Sequence, residues 1–290
     1  MTVKQDLMNS ISKILQANRD GSYATQGDRK DMLFRFAKDL VDLGYKLRNI
    51  DGLKEKHIIA VIEHWKNKKI AISTMKNRTA ALRFLCDKIK KPTIIPSNNR
   101  LDIGNRIYVP QTNRALHNPD FSKISNPYIR ISLELQRVFG LRREESLKIK
   151  PWQADMKGYL SLQPSWCKGG RGREIPIQTE EQRYWLEQAK NIVEHKGQSL
   201  IPPKKSYIRH RQVYDKQTSR AGLKNLHGLR HAYAQRRYKE LTGWDAPING
   251  GPTSKQLTAA QKQKDYQARM ILTDSLGHSR EQITVNYIGR

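Results

Sequence analysis

Three short fragments of the chain carry residue types that could act together on a phosphodiester. GLRREESLKI spans residues 140–149, LHGLRHAYA spans 226–234 and LGHSREQITVNYIGR spans 276–290. Cleaving a phosphodiester requires positive charge on its oxygens as the transition state forms, and a proton for the oxygen that leaves. Arginine meets the first need because its planar fork binds two phosphate oxygens and stays charged. Lysine or histidine meets the second.

Within two of these fragments the spacing places charged groups on one helix face. Arg142 and Glu145 lie three residues apart, so the carboxylate can fix the guanidinium. His227 and Arg230 have the same spacing. Taken alone, the first pair is more simply interpreted as a surface ion pair, and the second is as consistent with a structural role as with a catalytic one.

The third fragment places His278 and Tyr287 nine residues apart. A single tyrosine near the end of a chain usually contributes only to packing. Lys168 lies beside a cluster of glycines between the first two fragments. The occurrence of all these groups in one chain, in this order, favours a shared site over separate structural roles.

Two neighbouring residues receive other interpretations. His227 and His231 have a zinc-like spacing, but Gly228 stands where a metalloprotease helix has its glutamate, and no third ligand follows at ligand spacing. No metal is therefore expected, and His231 is interpreted as structural. Arg143 is assigned to a solvated or phosphate-contacting face.

The composition points to a polyanionic partner. Of 290 residues, 54 are Lys or Arg and 27 are Asp or Glu, which gives a net charge of +27 spread over the whole length. Such a broad basic surface predicts nucleic-acid binding. No apolar run approaches the ~18 residues of a membrane span, and the N-terminus has no signal-peptide core. Cys86 and Cys167 form no Cys-x-x-Cys pair, which suits a reducing, cytoplasmic compartment.

The elements that must position these residues fall into two parts. Apolar residues recur at helical spacing through residues 1–91, and prolines with polar residues and glycine break the pattern after that. We therefore predict a helical domain over residues 1–95, an interdomain linker over 96–112 and a second domain over 113–290.

The second domain is predicted to be mainly helical with a small β-sheet, an α+β fold. Strands are expected over 159–163 and 173–177, joined by a glycine-rich turn that Lys168 enters. Helices are expected around these strands, two of them with capping boxes at Thr179 and Thr258. A last helix is expected to carry His278 at its entry and Tyr287 near its end.

The order Arg, Lys, His-x-x-Arg, His, Tyr resembles the tyrosine recombinase family, also called the phage integrase family. The resemblance covers residues 113–290 and rests on the motifs GLRxxE, LHxLRH and LGHS followed by a tyrosine. Residues 1–95 resemble the family's helical core-binding domain more weakly, by size, position and basicity. The segment after Arg230, with TGW, INGG and LGH, is similar to integrases of integrative conjugative elements and genomic islands.

The resemblance implies a catalytic role for each motif residue. Tyr287 would attack the scissile phosphate, leaving a 3'-phosphotyrosyl bond and a free 5'-hydroxyl, and Lys168 would give the leaving oxygen its proton. Two arginines would hold the nonbridging oxygens, two histidines would hydrogen-bond the phosphate or shuttle the tyrosine proton, and a glutamate would support them. These five residues are Arg142, Arg230, His227, His278 and Glu145.

The resemblance also implies a site-specific recombinase that integrates or excises a mobile element without a cofactor or metal. Its expected partners are double-stranded DNA attachment sites, three further copies of the chain in a synaptic homo-tetramer, and DNA-bending accessory proteins. The protein would be a monomer free in solution and would act in the bacterial cytoplasm at the nucleoid, without a membrane.

Two features depart from compact family members. The 47 residues between Arg230 and His278 make a longer segment, with much of the excess around Asn249–Ser254. This loop could contact DNA or a neighbouring protomer, or be merely solvated. The sequence also continues for only three residues after Tyr287, which leaves open whether the tyrosine acts in its own active site or in a neighbour's.

Three other functions compete with this interpretation. A type IB topoisomerase would use the same chemistry without specific sites or pairwise synapsis. A noncatalytic DNA-binding regulator would use these residues only for phosphate contacts, and Tyr287→Phe would then leave its function unchanged. A metal-dependent nuclease is disfavoured because the sequence has no compact carboxylate cluster.

Overall fold

The computed structural model describes residues 2–290, which divide into two compact units between Ile107 and Tyr108. This division falls within residues 96–112, the predicted linker. Within residues 2–290, no helix combines the length and the apolar character that crossing a membrane requires.

The first unit is a helical bundle in which α2 packs against the other three helices. Its helices are α1 (Val3–Ala17), α2 (Tyr23–Asp42), α3 (Glu55–Asn67) and α4 (Ile72–Lys88). Apolar side chains at helical spacing form its core, and the indole of Trp65 in that core donates to Asp39 Oδ2 at 2.7 Å. Leu101 and Ile103 are buried in the same core, so the beginning of the predicted linker is a folded part of this unit.

The second unit is also mainly helical, with a two-stranded antiparallel sheet. Its elements are α5 (Pro127–Phe139), α6 (Arg143–Lys148), α7 (Pro151–Ala154), β1 (Tyr159–Leu162), β2 (Arg173–Pro176), α8 (Glu180–Ile192), α9 (Tyr207–Arg220), α10 (Gly228–Thr242), α11 (Ala259–Ser275) and α12 (Val285–Ile288). In the sheet, Leu160 pairs with Ile175. The α+β prediction is confirmed.

The local signals at several helix ends act as predicted. Thr179 and Thr258 accept from the backbone of Gln182 and Gln261 in reciprocal capping boxes. Gly140 ends α5 in the left-handed conformation, with φ +64°, which glycine adopts without strain.

The prediction of one long final helix was wrong. Gly277, with φ +63°, ends the α11 region, and Arg280 is extended, so the chain leaves helical geometry at His278. A 3-10 turn at Glu281–Ile283 follows, and α12 is a single turn beginning at Val285. His278 therefore lies in a loop and Tyr287 in a separate short helix.

The turn between the strands is also more structured than a tight hairpin. Two 3-10 turns, Pro164–Trp166 and Lys168–Gly170, connect β1 to β2. Gly169 and Gly170 both have positive φ, which the glycine cluster permits at this position.

Candidate active site

Side chains from five places in the second unit converge on one site. They come from the α5–α6 junction, the start of β2, the first turn of α10, the loop after α11, and α12. Six of the seven motif residues meet there, namely Arg142, Glu145, His227, Arg230, His278 and Tyr287.

Glu145 holds two arginines at one edge of the site. Its carboxylate is fully buried and accepts from Arg142 Nη1 at 2.7 Å and from Arg173 at 2.9 and 2.7 Å. Burial alone would raise the pKa of Glu145, but the hydrogen bonds and charge of Arg173, with Arg142 nearby, lower that pKa to about 2. Two guanidiniums share one carboxylate, so the cluster keeps a net positive charge for a phosphate.

Arg230 lies at the centre of the site and is 1% exposed. Its Nη1 donates to the carbonyl of Gly140 at 2.6 Å, and its Nη2 donates to the carbonyl of Leu276. Its Nε donates to the phenol oxygen of Tyr287 at 3.3 Å. Burial lowers the pKa of Arg230 to about 10, which still leaves the guanidinium charged at neutral pH.

The phenol of Tyr287 lies between Arg230 and the histidines. Its oxygen is 3.5 Å from His227 Nε2, and its ring lies 4.6 Å from the ring of His231 and 5.5 Å from that of His278, centroid to centroid. The Tyr287 backbone carbonyl accepts from Gln235 Nε2 at 2.9 Å. The tyrosine is thus positioned both at its phenol and at its backbone.

The three histidines around Tyr287 are neutral at physiological pH. Burial and the charge of Arg230 lower the pKa of His278 to about 3 and the pKa of His227 in the same direction. Burial, with His227 and Arg114, lowers the pKa of His231 to about 4. A neutral imidazole can accept a proton, so His227 suits a phenol that must lose one.

Lys168 is the motif residue that the structure does not bring to Tyr287. It is exposed on the 3-10 turn before β2, and its side chain makes no hydrogen bond or ion pair with any residue in the range 2–290. The adjacent residue is closer to the site, since Cys167 Sγ accepts from Arg173 Nη1 at 3.7 Å.

Sequence reasoning missed Arg173 and the contact of His231 with the tyrosine. Arg173 is almost fully buried, and besides Glu145 it contacts the carbonyl of Ser275 at 2.7 Å through Nε. The available signal for Arg173 was strand alternation, because the predicted strand over 173–177 places Arg173 on the same face as Ile175, whereas Arg171 lies in the turn. For His231 the available signal was its spacing from His227, which places both on one face of α10.

A basic pocket of about 650 Å³ opens beside the histidines. His227 and His231 line it together with Arg114 and Lys224, and no carboxylate lines it. Arg143, predicted to be solvated or to contact phosphate, is partly exposed and pairs with Asp215 at 2.7 Å. The open side of the site therefore presents positive charge.

Two family models match most of the chain. The model for the phage integrase N-terminal domain matches residues 5–91, and the model for the integrase domain matches residues 111–236. The chain belongs to the phage integrase family. Family membership makes this integrase a site-specific recombinase, an enzyme that breaks and rejoins DNA.

Solved structures share the fold of this integrase at low sequence identity. A lambda integrase dimer bound to a COC' core site is 17% identical, with a TM-score of 0.61 over 97% of this chain and 75% of that one. XerH site-specific recombinase bound to a palindromic difH substrate is 16% identical, with a TM-score of 0.60 over 97% and 80%. The Tn1549 transposon integrase in complex with circular intermediate DNA is 16% identical, with a TM-score of 0.53 over 100% and 96%. No curated protein matches the chain significantly.

Proposed function

We propose that this integrase cuts DNA by attack of the Tyr287 phenol oxygen on the scissile phosphorus. The bond from phosphorus to the 5' oxygen breaks, a 3'-phosphotyrosyl bond forms, and the reverse step by another 5'-hydroxyl rejoins the strand. The observation that carries this proposal is the placement of the Tyr287 oxygen 3.3 Å from Arg230 Nε and 3.5 Å from a His227 nitrogen. The same cation that would bind phosphate also stabilises the phenolate.

In this proposal the arginines neutralise the phosphate. Arg142 keeps one face accessible while Glu145 fixes its direction, and Arg230 is fixed by two backbone carbonyls. Because these donors are already fixed in place, little free energy is needed to reorganise them when the pentacoordinate transition state forms. Arg173 acts through Glu145 and is a positioning residue.

The histidines would handle the proton of the phenol. Neutral His227 accepts that proton as the phosphorus–oxygen bond forms, and His278, which lies 3.4 Å from Arg230 Nη2, hydrogen-bonds a nonbridging oxygen. Lys168 supplies the other proton, to the departing 5' oxygen. Its turn carries two glycines at positive φ, and we propose that bound DNA brings the leaving oxygen to Lys168 there.

The energy of the broken bond is kept in the phosphotyrosyl bond, so rejoining needs no nucleotide triphosphate. We propose double-stranded attachment sites of a mobile element as the substrate, with residues 1–95 as a core-binding domain, 113–290 as the catalytic domain and the connection between them within 96–112. DNA-bound dimers and tetramers of lambda integrase support DNA binding and multimeric assembly. We further propose that the protein is a monomer free in solution and forms a tetramer at the synapse. It would work with DNA-bending partner proteins and act at the nucleoid.

The test is a labelled duplex spanning the ends of the protein's own element, nicked near the crossover so that the cleaved fragment diffuses away. The expected result is a covalent protein–DNA band on a denaturing gel that persists in chelator and is absent with Tyr287→Phe. Binding on native gels without any covalent band would contradict catalysis and favour a DNA-binding regulator.

A further inference from the structure

The long segment between α10 and the loop carrying His278 folds back onto the end of the chain. It includes the Pro247–Asn249 turn and α11. Ala246 and Leu257 lie on either side of the loop that includes residues 249–254. Both are buried, so the segment is anchored to the second unit.

A buried ion pair on α11 forms the first contact with the tyrosine segment. Arg269 is 4% exposed and Asp265 is 9% exposed, and Arg269 Nε lies 2.9 Å from each Asp265 oxygen. The phenol of Tyr238 on α10 also donates to this carboxylate. Burying two charges costs free energy that a pair of apolar residues would not cost, so packing alone does not account for the pair.

Arg269 also contacts the terminal segment. Its Nη1 donates to the carbonyl of Gly289 at 3.1 Å, two residues beyond Tyr287. The Pro247–Asn249 turn also packs against Gly289, so closely that a Cβ at Gly289 would lie 2.9 Å from the nitrogen of Ile248. The residue just after α12 is therefore in contact with both α11 and this turn.

A cluster of amides forms the second contact. Asn249 Nδ2 donates to Gln235 Oε1 at 3.0 Å, and Asn113 lies against both residues. Gln235 Nε2 in turn donates to the carbonyl of Tyr287 at 2.9 Å. The Asn249 side chain thus fixes the Gln235 amide, which in turn holds the Tyr287 backbone.

An external support is needed because α12 has only four residues. A helix of one turn is not stable by its own hydrogen bonds. We propose that residues 243–275 act as a brace that holds Tyr287 in the active site of its own protomer, with Arg269 and Asn249 as positioning residues. This inference rests on the proposed role of Tyr287 as the nucleophile. It gives the longer segment a function in catalysis, and it predicts cleavage in cis.

The brace is tested by single-turnover cleavage of the nicked duplex at saturating protein. Arg269→Gln is expected to form the covalent adduct about ten- to a hundredfold more slowly, because displacement of the reacting oxygen by about 1 Å has an effect of that order. Arg269→Lys should recover part of the rate. Asn249→Ala, on an exposed residue whose loss does not threaten the fold, should be about three- to tenfold slower.

Lys262→Gln is the matched control, because it removes the same charge from an exposed site on α11. A positioning defect lowers the rate constant while the fraction of DNA cleaved at the end and the DNA affinity stay unchanged. A folding defect lowers that final fraction instead. If Asn249→Ala and any folded Arg269 variant cleave at the rate of Lys262→Gln, the brace is refuted. If the unmodified protein forms no Tyr287-dependent adduct, the proposed function itself fails.

Cleavage in cis is tested by mixing two inactive variants, Tyr287→Phe and Arg230→Gln, on the same duplex under conditions where both bind. A tyrosine braced in its own protomer gives no adduct, because neither variant contains a complete site. Recovery of the adduct would show that the tyrosine enters a neighbour's site and would overturn the brace.

Discussion

Glu145 is the residue that fixes the direction of both Arg142 and Arg173, and its ionisation ties the site to the stability of the fold. Its folded pKa of about 2 lies below the ordinary value of 4.5, so it stabilises the fold fully above pH 4.5. That stabilisation is lost as the pH falls from 4.5 towards 2.

Glu145→Gln should therefore lower the free energy of unfolding at pH 7 by roughly 3–5 kcal/mol, because two buried or half-buried guanidiniums lose their counterion. Denaturant unfolding at pH 7, 4 and 3 would measure this effect. The difference between the two proteins should shrink as the pH falls. A difference that stays constant from pH 7 to pH 3 would mean that the carboxylate is not held ionised by the arginines.

Lys168 is the residue whose proposed role depends most on bound DNA. Lys168→Ala should slow cleavage of ordinary DNA by about 10²–10⁴-fold, the usual effect of removing a general acid. With sulfur in place of the leaving 5' oxygen, the loss should nearly vanish, because a thiolate leaves without a proton. Equal losses on both substrates in single-turnover assays would show that Lys168 only contacts the backbone.

At the scale of elements, Gly140 at the end of α5 takes part both in the packing of the unit and in the active site. A Cβ on Gly140 would lie 2.4 Å from Tyr233 Cδ1, and the carbonyl of Gly140 accepts from Arg230. Gly222, with φ +75°, has open space around it and offers a control for backbone strain alone.

Gly140→Ala should lower the free energy of unfolding by about 2–4 kcal/mol, through left-handed strain and the clash together, and should slow adduct formation. Gly222→Ala should cost only about 1–2 kcal/mol and leave cleavage unchanged. Thermal unfolding and single-turnover cleavage would measure both variants. Equal effects of the two substitutions would contradict the packing of Gly140 against Tyr233.

The sequence predicted those elements that depend on local signals. The glycine after α5 and the capping threonines of α8 and α11 act within a few residues, so their patterns are visible in the chain. The last helix was misjudged because apolar spacing does not reveal the break at Gly277. Arg173 was missed because its partner, Glu145, lies 28 residues away and only the fold brings them together.

At the scale of the whole molecule, the net charge of +27 is expected to dominate the affinity for DNA. Affinity for duplex DNA should fall by about 10³-fold or more between 50 and 200 mM salt if six or more phosphates are neutralised. Fluorescence anisotropy over this range would measure it. An affinity that stays constant with salt would contradict a broad electrostatic interface.

The central claim, that Tyr287 forms the bond to DNA, is tested most directly by identifying the modified peptide. The covalent adduct would be trimmed with nuclease and digested with trypsin, which cuts after Arg280 and yields residues 281–290 with Tyr287 as their only tyrosine. Mass spectrometry should find a nucleotide on this peptide, attached to the tyrosine. A nucleotide on any other peptide, with 281–290 unmodified, would contradict the account.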